Sequence, residues 1–321
     1  MKTILTFTLN PTVDKSTSID RVMPEHKLRC TNPEYEPGGG GINVSRAIKR
    51  LKGESAALYT MGGLTGRLLE SLLQREGLVH NAVPIREWTR ESLAVFETST
   101  KLQYRFNTEG PALQEDEWRL CLDKVSGADP KPDYIVGSGA LPPGVPDDFY
   151  AALARIGRER GARVIIDTSG DPLRLALEGQ VFMIKPNIRE LNVLVGRELK
   201  DEAEQESVVM DIIGRAQSEI VVVSLGAAGV LLATARGVTR LRAPVVPIHS
   251  KVGAGDSMVG AITLRLALGH SILDAVRYGV AAGAAAVMTP GTQLCSFEDT
   301  ERLFAHMGRE RGRGSTVRRK K

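Results

Sequence analysis

The chain has 321 residues, of which 42% are hydrophobic and 25% are charged. This composition is typical of a globular protein and excludes a disordered or fibrous chain, and the length suits roughly two domains or one large core with an appendage. No segment approaches the roughly 18 uncharged apolar residues that cross a bilayer, and the N-terminal apolar run lacks the cleavage site of a signal peptide. Three widely spaced cysteines favour a reducing compartment, so we expect a cytoplasmic protein with no membrane partner.

The formal net charge is +4, and the positive charge is concentrated at the C-terminus. Residues Arg309–Lys321 include seven basic residues and one acidic residue, so the rest of the chain is slightly acidic. Such a body is no platform for nucleic acid, and we expect no nucleic-acid partner. We predict that residues 309–321 form a basic, disordered tail, with a loose contact to a polyanion as the alternative.

Short apolar runs alternate along the chain with segments of helical period. The predicted strands are Ile4–Leu9, Ala56–Met61, Tyr134–Gly137, Val164–Asp167, Phe182–Lys185 and Ile220–Ser224. The predicted helices are Ile42–Leu51, Thr65–Glu76, Asp147–Arg160, Pro172–Leu177, Asp201–Gln217, Ala254–Leu268, Ile272–Val287 and Phe297–His306. Continuously apolar strands suit a parallel sheet that is covered on both faces. The order therefore predicts an α/β fold, a doubly wound and mostly parallel sheet, within one domain of residues 1–308.

Two segments, about residues 16–35 and 89–108, alternate apolar and polar residues without a helical period. Within the second, Ser92–Ser99 and Leu102–Thr108 predict an antiparallel hairpin. Because such strands do not join a parallel core easily, we place both segments in a small antiparallel sheet. The chain leaves the core twice and returns twice, which favours a lid over a site.

The motif KVGAGDSMVGA, Lys251–Ala261, leads into a predicted helix. Glycines allow successive backbone amides to point to one place, and the helix N-terminus adds positive potential there. This arrangement suits a phosphoryl group in transfer, and the carboxylate of Asp256 beside it could accept a proton from an attacking hydroxyl. The helix field is expected to keep Asp256 ionised. A capped helix after a glycine turn is the structural alternative.

A second motif, PGGGGINVSRA, spans Pro37–Ala47. Its four glycines allow a polar ligand to approach the backbone, and Asn43 can both donate and accept hydrogen bonds with hydroxyl groups. A plain flexible loop is the alternative. The chain contains no G-x-x-x-x-G-K-[ST] string, so a P-loop is excluded.

Two further motifs follow predicted strands. In Ile184–Leu191, Asn187 and Glu190 lie three residues apart, a spacing that allows both to approach one hydrated cation such as Mg²⁺. The same pair also fits the capping box of a helix. In Val221–Val230, a strand ends in Ser-Leu-Gly-x-x-Gly, which could enclose a nucleotide phosphate or ribose, or could simply supply turn residues.

Together the four motifs resemble the ribokinase-like (PfkB) carbohydrate kinases. The strings GGGGINVSRA, Gly38–Ala47, and VGAGDSMVGA, Val252–Ala261, look like the two signatures of that family, and Lys185–Glu190 looks like its magnesium and phosphate element. The resemblance extends from Met1 to about His306. It is closest to the branch that acts on hexose phosphates. It implies transfer of the γ-phosphate of ATP to the 1-hydroxyl of fructose 6-phosphate, with fructose 1-phosphate or tagatose 6-phosphate as alternative acceptors.

The resemblance also implies roles for individual residues. Asp256 would be the catalytic base, and the amides of Gly253, Ala254 and Gly255 would form the anion hole. The substrate would meet Asp14, Lys27, Gly39, Gly40, Asn43, Arg90, Arg105 and the position of Ala140. ATP would contact Lys185, Asn187, Ser224, Gly226, Gly229 and Gly255. Mg²⁺ would be held through water by Asn187 and Glu190, and a monovalent cation such as K⁺ would bind near Ser250, Val252 and Gly291. The lid would form the contact of a homodimer.

Two positions depart from the family pattern. Ala140 stands where the family usually has Ser, and the missing hydrogen bond to substrate would cost about 0.5–1.5 kcal/mol. Lys251 stands where the family usually has Thr, and its ammonium could reach a phosphate or point into solvent. A sugar-phosphate or nucleotide sensor without catalysis is the alternative in a different functional class, and the intact Asp256 argues against it.

Overall fold

The computed structural model describes residues 1–289, 291 and 293–314, with side chains to residue 308. All three cysteines are free thiols. Within these residues, no helix has both the length and the apolar character needed to span a membrane.

A nine-stranded sheet forms the centre of the molecule. Its strands are β1 (Ile4–Thr8), β4 (Ala56–Met61), β5 (Val79–Pro84), β8 (Tyr134–Ser138), β9 (Arg163–Asp167), β10 (Val181–Ile184), β11 (Ser218–Ser224), β12 (Val230–Thr234) and β13 (Gly237–Leu241). The order across the sheet is β13-β12-β11-β10-β9-β8-β1-β4-β5. The pairs from β11 to β5 are parallel, and β12 and β13 add an antiparallel edge.

Helices cover both faces of this sheet. They are α1 (Gly40–Arg50), α2 (Gly63–Arg75), α3 (Glu115–Ser126), α4 (Phe149–Glu159), α5 (Gly170–Glu178), α6 (Ile188–Val195), α7 (Glu202–Gly214), α8 (Ala254–Ala267), α9 (Ile272–Val287) and α10 (Phe297–Gly314). Alternate residues of each strand point to opposite faces. Ile165 accordingly packs in the core beneath α1, α8 and α9, whereas its neighbours Val164 and Ile166 pack beneath α3 to α7. The predicted doubly wound α/β fold is confirmed.

A second, four-stranded sheet carries the two segments that were predicted to leave the core. Its strands are β2 (Thr12–Ile19), β3 (Glu34–Gly38), β6 (Arg90–Glu97) and β7 (Gln103–Asn107), in the order β3-β2-β6-β7. The predicted β6–β7 hairpin is confirmed and β2–β3 is also antiparallel, but the central pair β2–β6 is parallel. This small sheet, called the lid below, begins only four residues after β1 ends, so it starts at the carboxyl end of a central strand of the main sheet.

Several elements differ from the sequence-based prediction. The strands β5, β12 and β13 and the helix α3 were not predicted, and α6 was predicted only at its start, through the pair Asn187 and Glu190. The helix α10 extends through Gly314 and so includes the first six residues of the predicted tail. Residues 315–321 of that tail lie outside the described residues.

Candidate active site

The first turn of α8 lies at the centre of the candidate site. Gly253 is the N-cap residue, with a φ angle of 73° that favours glycine, and no side chain bonds to the amides of the first turn. The amides of the first turn of a helix have no partner within the helix, so those of Ala254 and Gly255 remain available to an anion. An added Cβ at Gly253 would overlap the side chain of Leu294, which explains why glycine is required there. The structure thus leaves these amides without a side-chain partner at the start of α8.

Asp256 lies in the same turn and is hydrogen-bonded from a distant helix. Asn43 Nδ2, in α1, donates to Asp256 Oδ2 at 2.9 Å. The pKa of Asp256 is raised to about 6, mainly by burial and next by the nearby carboxylate of Asp167, whereas the Asn43 hydrogen bond and the charge of Lys185 lower it. Burial thus opposes the predicted ionisation of Asp256 without abolishing it. A pKa of about 6 still leaves Asp256 roughly tenfold more ionised than protonated at pH 7, as a proton acceptor requires.

A buried ion pair lies beside Asp256. Lys185, directly after β10, places Nζ 3.2 Å from Asp167 Oδ1 at the end of β9. Burial lowers the pKa of Lys185, but the carboxylates of Asp167, Glu190 and Asp256 outweigh it, and the net direction is upward. Lys185 was predicted at this site, and Asp167 was not. The signal for Asp167 was present, because it ends a predicted strand and the carboxyl ends of parallel strands meet at one edge.

The glycine run before α1 is explained by packing inside the protein. An added Cβ at Gly38 would overlap the Asp14 carboxylate, and one at Gly40 would overlap Ser138 Oγ. Gly39 has a φ angle of 112°, and an added Cβ there would press against Thr8 and Pro11. An added Cβ at Gly41 would likewise overlap the backbone of β1. The run therefore brings the N-terminus of α1 against the ends of β1 and β8, next to Asp14.

Asn187 and Glu190 form the capping box that the sequence left as an alternative. Asn187 Oδ1 accepts from the amides of Arg189 and Glu190, and Glu190 Oε2 accepts from the amide of Asn187 at 2.8 Å. Burial raises the pKa of Glu190, as does Asp167, and hydrogen bonds from Asn187 and the charge of Lys185 oppose them. Among the described residues, no group of three or more His, Cys, Asp or Glu side chains could hold a metal ion directly.

The segment after β11 lies beside the capping box. Ser224 forms a parallel bridge with Asn187, and its amide donates to Pro186 O at 2.9 Å. Gly226 has a φ angle of 61° and open space around it. Gly229 has a φ angle of 98°, and a Cβ there would overlap the backbone of Leu241. Gly229 is therefore required by packing, whereas Gly226 leaves its surroundings open to a ligand.

The lid brings charged residues to the other side of the site. The pKa of Asp14 is raised to about 6 by burial, although the charges of Arg90, Arg46 and Arg105 lower it and that of Glu36 raises it. Arg90 donates to Thr108 O and to Asn10 O, and its buried Nε has no hydrogen-bond partner. Arg105 is exposed on β7 and acts on Asp14 only through its charge.

Three further predicted residues lie on the surface: Lys27 in the loop between β2 and β3, Ala140 after β8, and Lys251 before α8. Among the described residues, none of these three side chains makes a hydrogen bond or ion pair with the cluster around Asp256. The nearby Asn10 was not singled out from the sequence. Its Oδ1 and the hydroxyl of Thr12 are buried without a hydrogen-bond partner, which marks a polar site close to Arg90.

The predicted monovalent-cation residues lie close together. Ser250 Oγ donates to Gly291 O at 2.6 Å and accepts from the amide of Val252 at 3.2 Å. Gly291 also lines a cavity of about 500 Å³, together with Ser16 and Ala94 of the lid. The loop before α8 is thus tied to the segment that follows α9.

The fold and the site define a class of protein: an α/β enzyme with uncapped amides at the N-terminus of a helix, a buried carboxylate in the same turn and a second, small β-sheet. Residues 7–299 match the model of the pfkB family carbohydrate kinases. This chain belongs to that family.

The chain is similar to two proteins described as ATP-dependent 6-phosphofructokinase isozyme 2. It is 46% identical to the protein of Mycobacterium tuberculosis over 94% of this chain and 88% of the relative, and 43% identical to that of Escherichia coli over 96% and 100%. The crystal structure of the Escherichia coli enzyme in complex with potassium superposes with a TM-score of 0.91, over 96% of this chain and all of that one. A 1-phosphofructokinase of Borreliella burgdorferi is 29% identical over 95% of this chain and 97% of the relative.

Proposed function

We propose that this chain is an ATP-dependent 6-phosphofructokinase, which transfers the γ-phosphate of ATP to the 1-hydroxyl of fructose 6-phosphate and forms fructose 1,6-bisphosphate. The observation that carries the proposal is the Asp256 carboxylate, hydrogen-bonded by Asn43 beside the open amides of α8. The two relatives above, at 43% and 46% identity, favour fructose 6-phosphate over the acceptor of the 1-phosphofructokinase at 29%.

In this reaction the oxygen of the sugar 1-hydroxyl attacks the γ-phosphorus of ATP, and Asp256 accepts the proton of that hydroxyl. The bond between the γ-phosphorus and the bridging oxygen breaks, and that oxygen leaves with ADP. The amides of Gly253, Ala254 and Gly255 face the charge that develops on the phosphoryl oxygens. Asp14, Asn43 and the loop at Gly39 and Gly40 bind the sugar hydroxyls. These groups are brought together from three separate elements, α8, α1 and β2, which is the positioning that phosphoryl transfer needs.

The phosphate of the substrate requires cations, and the lid supplies them. Arg90 has a buried Nε without a hydrogen-bond partner, which a phosphate oxygen would satisfy. Arg105 and Lys27 would approach from the exposed part of the lid. Ala140 lacks the hydroxyl that would add one contact to the sugar, and the ammonium of the exposed Lys251 would either reach a phosphate or point into solvent.

ATP would lie between α8 and the segments after β10 and β11, in contact with Lys185, Asn187, Ser224, Gly226, Gly229 and Gly255. Mg²⁺ fits beside Glu190, which keeps one carboxylate oxygen outside the capping box, with Asn187 next to it and water completing the coordination. When bound, Mg²⁺ neutralises phosphate charge. A K⁺ ion fits the oxygen-rich loop of Ser250, Val252 and Gly291, and the Escherichia coli structure was determined with potassium.

The outer face of the lid supports a homodimer. Phe106 lies in the edge strand β7 and Leu102 directly precedes it, and each side chain is 58% exposed. A second copy would cover this apolar surface. For the Escherichia coli relative, an inhibited form is described as tetrameric. The absence of a membrane-spanning helix among the described residues agrees with a cytoplasmic enzyme.

The test compares three acceptors with one catalytic variant. Purified protein is assayed with ATP, Mg²⁺ and fructose 6-phosphate, fructose 1-phosphate or tagatose 6-phosphate, with ADP formation as the readout. We expect the highest kcat/KM with fructose 6-phosphate, and Asp256→Asn should lower kcat by about 10²–10⁴-fold. Turnover no higher than that of the variant would contradict the proposal, and ligand binding without turnover would favour the sensor instead.

A further inference from the structure

We propose that Arg46 is a positioning residue: its guanidinium fixes the orientation of the Asn43 amide, so that this amide donates to Asp256. The inference rests on the proposed function, and it concerns a residue outside the predicted site.

Arg46 is held by carboxylates from two other elements. Its side chain is 1% exposed and pairs with Glu76, at the end of α2, and with Glu36, on the lid strand β3. Nε lies 2.9 and 3.0 Å from the two Glu76 oxygens, and a terminal nitrogen reaches Glu36 at 3.1 Å. A guanidinium buried without partners would be strongly unfavourable, so the two carboxylates fix where its remaining donors point.

The remaining terminal nitrogen of Arg46 points to Asn43. It donates to Pro37 O at 2.8 Å and to Asn43 Oδ1 at 3.2 Å. A guanidinium has donors only, so it can meet an amide side chain only through the amide oxygen. The amide nitrogen then faces away from Arg46, and it lies 2.9 Å from Asp256 Oδ2. In the flipped orientation, the Asn43 amide nitrogen would face the Arg46 guanidinium, and the amide oxygen would face the Asp256 carboxylate. Neither pair could form a hydrogen bond.

This orientation decides which atom of Asp256 is left for chemistry. Oδ2 accepts from Asn43, so Oδ1 remains for the proton of the sugar hydroxyl. The other charged groups that act on Asp256 are Asp167, Lys185 and Asp14. Arg46 influences the base through Asn43, one helical turn away on α1, and it does not contact the base itself.

The first test is Arg46→Lys, which keeps the charge and loses the planar fork. We expect kcat to fall by about 10- to 100-fold, because the base and its supporting amide lose their fixed geometry. The acidic limb of the kcat profile should move to higher pH, because a weaker Asn43 hydrogen bond favours the protonated carboxyl. Arg155→Lys, at an exposed position on α4 on the opposite face of the sheet, should change neither quantity.

The second test is a double-mutant cycle with Asn43→Ala. If Arg46 acts through Asn43, then Arg46→Lys should reduce kcat by no more than about twofold in the Asn43→Ala background. A multiplicative loss in the double variant, or an unshifted acidic limb in Arg46→Lys, overturns the proposal. If Arg46→Lys does not fold, Glu76→Gln replaces it. We then expect a smaller shift of the acidic limb of the kcat profile, again to higher pH. An unshifted limb in Glu76→Gln would contradict the proposal.

A readout that needs no turnover separates this inference from the proposed function. If the wild-type protein phosphorylates none of the three sugars, the proposed function fails. The carboxyl titration of Asp256 can still be followed by ¹³C NMR, with Asp256→Asn used for assignment. A higher titration midpoint in Arg46→Lys than in wild type supports the positioning role, and equal midpoints overturn it.

Discussion

The Lys185 ammonium lies 3.2 Å from the Asp167 carboxylate, at the ends of the adjacent parallel strands β10 and β9. The two charges act on the pKa of Asp256 in opposite directions, since Asp167 raises it and Lys185 lowers it. The effects of the two charges on the pKa of the proposed base therefore partly cancel.

Opposite substitutions in this pair should move the pH profile in opposite directions. Asp167→Asn removes a negative charge and should shift the acidic limb of kcat to lower pH, and Lys185→Met should shift it to higher pH, each by about 0.5–1 unit. The measurement is kcat between pH 5 and 9 at saturating substrates. The exposed pair Arg174 and Asp171 supplies the controls Arg174→Met and Asp171→Asn, which should leave the limb in place. Shifts of equal sign for the two buried variants would contradict this model.

The stability of the fold should also report the protonation of Asp256. Its pKa is raised to about 6 in the folded protein from 3.8, so folding is favoured by the protonated form. This contribution is present below about pH 4 and is lost as the pH rises through about 6. Asp256→Asn should therefore stabilise the protein at pH 7.5 by about 1–3 kcal/mol, and the gain should vanish below about pH 4.

Thermal unfolding at several pH values measures this gain. Asp123→Asn, at an exposed position on α3, should show no such dependence on pH. An Asp256→Asn protein that is less stable than wild type at pH 7.5 would show that the charged carboxylate is favourable in the fold, against our expectation.

The main sheet and the chemistry of α8 could be predicted from sequence because both depend on local patterns. The strand Val164–Asp167 was recognisable from continuous apolar residues, and the turn before Asp256 from its glycines. The edge strands β12 and β13 could not be separated from the neighbouring loops, because short antiparallel edge strands carry little periodicity.

Partnerships across the chain could not be predicted in the same way. Arg46 and Glu76 are 30 residues apart, and Asn43 and Asp256 are 213 apart. A single sequence contains no signal that joins such pairs, so the buried network behind Asn43 became visible only in the fold. The capping box at Asn187, by contrast, is local and was predicted as an alternative.

The close contact between α1 and β8 makes Gly40 sensitive to one methyl group. A Cβ there would overlap Ser138 Oγ and press on the backbone of Ser138 and Gly139, so Gly40→Ala must displace the start of α1, which carries Asn43. We expect a loss of about 1–3 kcal/mol of stability and a lower kcat.

Gly214, at the end of α7, has no atom within 4 Å of the same added methyl. Gly214→Ala should therefore be neutral or stabilise the protein by up to about 1 kcal/mol, with unchanged kcat. Equal effects of the two variants in thermal unfolding would argue against this packing explanation.

The exposed face of the lid should control the proposed homodimer. Phe106, on the edge strand β7, is 58% exposed, and an apolar ring of this size is typical of the buried centre of an interface. Phe106→Asp would place a charge in that centre and should weaken dimerisation by about tenfold or more, measured by sedimentation velocity over a concentration series. Val79→Asp supplies the matched control, because Val79 is 68% exposed at the start of β5, a strand of the main sheet and not of the lid. A dimer that survives Phe106→Asp unchanged, or a wild-type chain that remains monomeric at every concentration, would show that the lid face is not where two copies meet.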